Sequence, residues 1–166
     1  EAKDVLRLHA FISESLSRYE AEMFTRWAEA VDETLAQKLT LPLLTRDELT
    51  GEIEVNFDPR LVEQLSEIKY FSLQHKDVPS AAEQLYRQAT RYRVTRDSLE
   101  HARGMYNWVL QNLLDVERPL LKAQLKAINK VLEEGLTTVK WDASDESTRQ
   151  FVDEAMTLIS EAHTIL

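Results

Sequence analysis

The stretch EIEVNFDPRLVEQLSEIKYF, residues 52–71, changes its period part-way along. Ile53, Val55 and Phe57 alternate with Glu52, Glu54 and Asn56, and a period of two marks a strand. Asp58 then precedes Pro59. Aspartate is a preferred helix N-cap, and proline suits the first helical position, where its missing N–H costs nothing. Leu61, Leu65, Ile68 and Phe71 follow at helical spacing. The corner therefore reads strand, cap, proline, helix, with Val55, Phe57, Asp58 and Pro59 as a structural joint. Leu43, Leu44 and a polar turn from Arg46 to Gly51 come before it, so a small β-hairpin near residues 43–57 is expected. A lone hairpin is marginal in water and must pack on something.

The material for that packing lies on both sides. Upstream, Val5, Leu8, Ile12, Leu16, Tyr19, Met23, Trp27, Val31, Leu35 and Leu39 are spaced by threes and fours with no Gly or Pro between them. This predicts one helix over about 2–39 with a single buried stripe, about 57 Å long at 1.5 Å per residue. A second helix is expected over 59–74, ending before Pro79. From Ala81 the stripe resumes: Ala82, Leu85, Ala89, Tyr92, Leu99, Tyr106, Val109, Leu113, Val116, Leu120, Leu125, Ile128 and Leu132. Its phase carries through Pro119, which predicts one long helix over 80–134, kinked near that proline. Two helices meeting at Glu117 is the alternative. Gly135 is a C-cap candidate, and Trp141 is expected to anchor the connector after it. Ser144 or Asp145 caps a last helix over 145–166, whose stripe is Phe151, Ala155, Leu158, Ala162 and Ile165. The expected fold is all-α: an elongated antiparallel helical bundle of long helices with one small hairpin, forming a single unit over residues 1–166.

Composition narrows the function. Of 166 residues, 29 are acidic and 20 basic, a net charge of −9. That balance disfavours nucleic acid or an anionic membrane as the main partner, because phosphate binding needs clustered positive charge. Cysteine is absent, which removes disulfides and thiolate metal sites. No apolar run approaches the 18 residues of a membrane span. The first residue is Glu1 and the last, Leu166, lies inside a helical pattern. The chain is therefore expected to be a segment of a longer polypeptide.

Signs of chemistry are scarce. Gly51, Gly104 and Gly135 are isolated, so no phosphate-cradling loop can be assembled. His9, His75, His101 and His163 are scattered, and no Glu-x-x-His pair exists. No catalytic, cofactor-binding or metal-binding residue is assigned, and no cofactor is expected. Glu52 and Glu54 read as the solvated face of the strand, Glu133 and Glu134 as an exposed helix end, and His101 as a hydrogen-bonded histidine at the bundle edge. Trp27, Trp108 and Trp141 read first as packing residues.

Charge distribution says more. Arg87, Arg91, Arg93, Arg96 and Arg103 stand against Asp97 and Glu100, and from Asp142 onward there are six acids and one arginine. The plain reading is a solvated bundle whose arginines pair with acids on neighbouring helices. The sharper one is a basic band that docks an acidic partner.

The order of the motifs resembles a known family. The run PLLTRDELTGEIEVNFDPRLVEQLSEIKYF, residues 42–71, is similar to the N-terminal tail, or stem, of dynein heavy chains. The matching positions are Leu43, Leu44, Arg46, Asp47, Thr50, Gly51, Val55 to Pro59, and Glu67 to Tyr70. VPSAAEQLY (78–86), MYNWVLQNLLDVERPLL (105–121) and GLTTVKW (135–141) continue the resemblance in order, over roughly residues 26–152. Ser66 stands where the family has a basic residue. The Tyr106-Asn107 and Thr50-Gly51 details are closer to axonemal than to cytoplasmic heavy chains. The resemblance implies a non-catalytic segment of a rod-like tail within a large hetero-oligomer. Its implied partners are dynein intermediate chains, neighbouring heavy chains or docking proteins. ATP hydrolysis would belong to an AAA+ ring elsewhere in the parent chain. The implied location is the axoneme of a cilium or flagellum, with the cytoplasm as the alternative. A free-standing helical adaptor of spectrin-like type is the competing reading, and a bundle enzyme a third.

Overall fold

A computed structural model describes residues 1–74 and 76–166, leaving aside the side chains of residues 34–36 and 81. The expectations for Leu35, His75 and Ala81 fall outside the described residues. The elements are α1 (Ala2–Lys38), β1 (Leu44–Arg46), β2 (Ile53–Val55), α2 (Pro59–Leu73), α3 (Ser80–Arg87), α4 (Ala89–Asn112), α5 (Arg118–Thr137) and α6 (Asp145–Ile165). The two strands form an antiparallel hairpin with Leu44 opposite Val55 and Arg46 opposite Ile53. The fold is mostly helical, as the periodicity predicts.

The hairpin turn is built by two residues. The Asp47 carboxylate accepts hydrogen bonds from the backbone N–H groups of Leu49 (2.7 Å) and Thr50 (3.0 Å). Gly51, at φ +74°, takes the left-handed turn that brings the chain back. Leu43, Leu44 and Ile53 are buried, while Glu54 faces out.

The core lies where α4, α5 and α6 meet and where the hairpin lies against them. Tyr92, Leu99 and Tyr106 on α4, Ile128 and Leu132 on α5, and Phe151, Ala155 and Ile159 on α6 are all buried. The buried face of α6 runs through Thr148, Val152, Ile159 and Ala162, whereas Leu158 is half-buried and Ile165 exposed. Ser144 caps this helix by accepting from the Ser147 N–H at 3.2 Å, and Asp145 is its first residue.

Three expectations are corrected. The helix expected over 80–134 is three helices. Pro119 lies in the first turn of α5, and the chain leaves the helix at Leu113, whose ψ is 112°. The proline ring would clash with the carbonyl four residues back, at Asp115, so the helix ends before it and restarts. Val116 and Leu120, assigned to the buried stripe, are exposed at this turn. A second interruption falls at Gln88, between α3 and α4.

Gly135 is not a C-cap. It is buried within α5, and a Cβ placed there would lie 2.2 Å from Phe151 Cζ. Glycine is required because α6 presses an aromatic ring onto this backbone.

The stripe of α1 is not buried along its length. Val31 is buried, and Trp27 packs partly against the core. Upstream, Val5, Leu8, Ile12, Leu16, Tyr19 and Met23 are all exposed.

Candidate docking site

Between β2 and α2 the chain passes through Asn56, Phe57 and Asp58. Asp58 Oδ1 accepts the Arg60 N–H at 2.8 Å, and Pro59 occupies the start of α2. The other carboxylate oxygen meets Lys38 Nζ at 3.0 Å, tying the end of α1 to the start of α2. The Arg60 N–H bond, followed by the bond and charge of Lys38, holds the Asp58 pKa below its ordinary value. Phe57 lies edge-on against Trp141, with centroids 4.9 Å apart. Trp141 is buried and donates its indole N–H to the Asn56 carbonyl at 2.7 Å, so it anchors the connector to the joint. Val55 packs against the core from the hairpin.

Polar side chains also hold the hairpin to the helices. Asn107, buried on α4, exchanges two 2.9 Å hydrogen bonds with the backbone of Ile53. Asn129 Oδ1 on α5 accepts from Tyr106 Oη at 2.9 Å and from Arg46 Nη2 at 3.0 Å. Burial pushes the Tyr106 pKa up, which keeps it a neutral donor. Gln111 donates to Glu52 at 2.8 Å, so this glutamate is a structural acceptor, while Glu54 is simply exposed.

The joint also floors a groove between α2 and the α3–α4 corner. Its base is Phe57, Val62 and Leu65, and its rim carries Lys69, Arg87, Arg93 and Arg96. The cavity has a volume of about 560 Å³. The five arginines of the basic band are thus divided. Arg87, Arg93 and Arg96 reach the groove, joined by Lys69 from α2. Arg91 turns the other way, pairing with Asp145 at 3.3 Å and donating to the Ala143 carbonyl at the start of α6. Arg103 pairs with Glu100 at 2.7 Å, outside the groove. On the rim, Arg87 pairs with Glu83 at 2.6 Å, and Arg96 pairs with Asp97 at 3.2 Å while lying over the Phe57 ring. Among the described residues, no ion pair forms at Lys69 or Arg93.

The remaining candidates disperse. Trp27 packs against Phe71, with centroids 4.5 Å apart, and donates to Glu67 at 2.6 Å. Trp108 is exposed and lies 4.8 Å from the His163 ring, beside His101 in a shallow depression. Glu133 and Glu134 are exposed near the end of α5. Among the described residues, no group of three or more histidines or carboxylates is placed to hold a metal ion. No described helix is long and apolar enough to cross a membrane.

Residues 1–148 match the family described as dynein heavy chain, N-terminal region 1. The chain belongs to that family. It is 31% identical over 93% of its length to the ciliary dynein beta chain of Tripneustes gratilla. It is 36% identical over 79% of its length to dynein axonemal heavy chain 17 of Mus musculus. It is also 28% identical over 99% of its length to the flagellar outer-arm dynein beta chain of Chlamydomonas reinhardtii. This chain covers 3% of the first two dyneins and 4% of the third. It corresponds to heavy-chain tail sequence, not to the ATPase motor domain.

Proposed function

We propose that this chain is a non-catalytic structural segment of an axonemal dynein heavy-chain tail, and that the groove between α2 and the α3–α4 corner docks an acidic stretch of another subunit. The relatives are ciliary, flagellar and axonemal heavy chains, which supports a location in the axoneme and a share in microtubule-based motility. On this reading the ATP-hydrolysing AAA+ ring lies elsewhere in the parent chain. This segment then transmits force and holds subunits within a large hetero-oligomer.

The observation that carries the docking reading is the rim of the groove. Lys69 and Arg93 stand exposed beside an apolar floor, without an ion pair among the described residues, in a chain of net charge −9. Charge complementarity of this kind chooses partners and speeds encounter more than it adds affinity. The partner classes are an intermediate chain, a docking protein or a neighbouring heavy chain.

The test reverses the rim in the full heavy chain with Lys69→Glu and Arg93→Glu, then measures which subunits co-sediment with the purified dynein. Selective loss of one subunit is the expected result. Full recovery of every subunit at physiological salt would sink the docking role and leave a spacer segment.

A further inference from the structure

Thr90 is the second residue of α4, two positions past the break at Gln88, and it is exposed. Among the described residues its hydroxyl has no hydrogen-bond partner, whereas Thr25, Thr137, Thr157 and Thr164 each donate to the carbonyl four residues back. Thr90 stands between two cavities. One is the groove between α2 and the α3–α4 corner. The other, of about 570 Å³, lies between α4 and the start of α6, with Arg91, Val94, Asp145 and Arg149 in its lining. Thr90 and Arg87 line both.

Arginines surround this hydroxyl. Arg87 precedes it by three positions, Arg91 follows it directly, and Arg93 comes three later. Residues three apart on a helix are neighbours, so Arg93 flanks Thr90 where both line the groove. Arg91 and Arg149 line the other cavity, and both pair with Asp145. In the groove, Glu83 and Asp97 pair with Arg87 and Arg96, which leaves Lys69 and Arg93. A phosphate on threonine carries about −1.5 to −2 charges and three strong acceptor oxygens. That charge matches the two cations the groove leaves without an ion pair.

The same segment suits a kinase. Kinases choose substrates by charge pattern, and an arginine three positions before the hydroxyl pairs with carboxylates in the cleft of an arginine-directed kinase. Arg87-Gln88-Ala89-Thr90 has that pattern. Thr95 and Ser98 also lie among the arginines of α4, but they are half-buried within the helix. A kinase takes its substrate extended, so the segment before Thr90 must open. It consists of α3, which is 8 residues long and has no side-chain cap bond at Pro79. So short a helix has little stability of its own. Opening it gives up mainly the burial of Ala82 and Leu85.

We propose that Thr90 is a phosphorylation site and that its phosphate closes the groove to an acidic partner. The proposal rests on the docking reading above and adds its regulation. In the step, Thr90 Oγ1 attacks the γ-phosphorus of ATP held by the kinase. The new O–P bond forms as the bond from that phosphorus to the β–γ bridging oxygen breaks. ADP leaves, and the hydroxyl proton passes through the kinase to water. Hydrolysis of the ester by a phosphatase restores the hydroxyl and releases inorganic phosphate. The phosphate neutralises the rim that Arg93 and Lys69 supply and repels carboxylates, so phosphate and partner exclude one another.

The test uses the full-length heavy chain in purified dynein, freed of dissociable subunits at high salt. It is incubated with ATP and a purified kinase selective for arginine three residues before the hydroxyl. It is then recombined with the subunits at physiological salt and sedimented. Peptide mass spectrometry is expected to place a phosphate on Thr90. The subunit lost on Lys69→Glu and Arg93→Glu should then co-sediment about tenfold less than with untreated dynein. In dynein carrying Thr90→Val, kinase treatment should change nothing. An unmodified Thr90 would overturn the inference, and so would unchanged co-sedimentation of the phosphorylated chain or an equal loss in treated Thr90→Val. If the charge reversals release a subunit and the phosphate does not, this inference fails alone. If the charge reversals release none, the docking reading fails and takes this one with it.

Discussion

Asn107 and Ile53 are 54 positions apart and exchange two hydrogen bonds of 2.9 Å: the amide Nδ2 donates to the Ile53 carbonyl, and Oδ1 accepts the Ile53 N–H. The side chain acts as a short third strand. It satisfies the backbone groups of β2 that face away from β1, and it does so inside the core, where both residues are buried. Through this contact a two-stranded hairpin too small to stand alone becomes part of a helical bundle.

Replacing Asn107 by leucine keeps the branched shape and strands both backbone groups. An unsatisfied buried group costs about 1–3 kcal/mol, so stranding two should destabilise the chain by about 2–6 kcal/mol in Asn107→Leu. Urea unfolding checks this. The midpoint should fall with an unchanged slope, and an unmoved midpoint would mean that water reaches Ile53 in the native state.

Asp58 links the cap of α2 to the end of α1, so its loss should depend on pH. Asp58→Ala removes the bond to the Arg60 N–H and the ion pair to Lys38, costing about 0.5–2 kcal/mol near neutrality from the cap alone. The folded pKa of Asp58 lies below the ordinary value of 3.8. A depressed carboxylate contributes its stability above the unfolded pKa and loses it as pH falls through the folded one. The gap between wild type and Asp58→Ala should therefore be full at pH 6 and shrink below pH 3.8. Thermal melts of the two chains across that range measure it, and a gap that stays constant down to pH 2 would contradict the capping geometry.

These two positions show what the sequence discloses. Asp58-Pro59 is legible because a cap and the first helical turn are local, set by neighbours one and two residues away. Asn107 is not, since a lone amide among Tyr106, Trp108 and Val109 acquires meaning only with a partner 54 residues distant. The stripe of α1 is legible as apolar, but spacing alone does not tell a covered face from an exposed one, which is why the whole length read as buried. The break at Leu113–Glu117 is hidden by a stripe whose phase carries through Pro119. At Gln88, no Gly or Pro marks the interruption at all. The groove is half legible: the arginines cluster in sequence, but Lys69 and the apolar floor arrive from α2 and the joint.

Gly51 makes the hairpin turn at φ +74°, and an added Cβ would find Leu110 Cδ1 at an unstrained 3.9 Å. The cost of Gly51→Ala is then conformational, about 1–2 kcal/mol. Asparagine visits this region more readily, so Gly51→Asn should cost less than Gly51→Ala. Equal melting temperatures for the two variants would show that the turn relaxes to another geometry.

Gly135 poses the opposite problem, because its constraint is space. Alanine is a better helix former than glycine by about 1 kcal/mol, so in an exposed helix Gly135→Ala would stabilise. Here its Cβ would sit 2.2 Å from Phe151 Cζ and 2.9 Å from both Cε atoms, and Phe151 is itself buried. Neither ring nor backbone can give way without moving α6 from α5. Overpacking of this kind costs about 1–3 kcal/mol and should outweigh the propensity gain. Phe151→Leu alone leaves a cavity and also destabilises. Combined with Gly135→Ala it removes the clash, so the double variant should be more stable than the two single losses added together. A double-mutant cycle by urea unfolding reads that coupling, and strict additivity would mean that the methyl and the ring never meet.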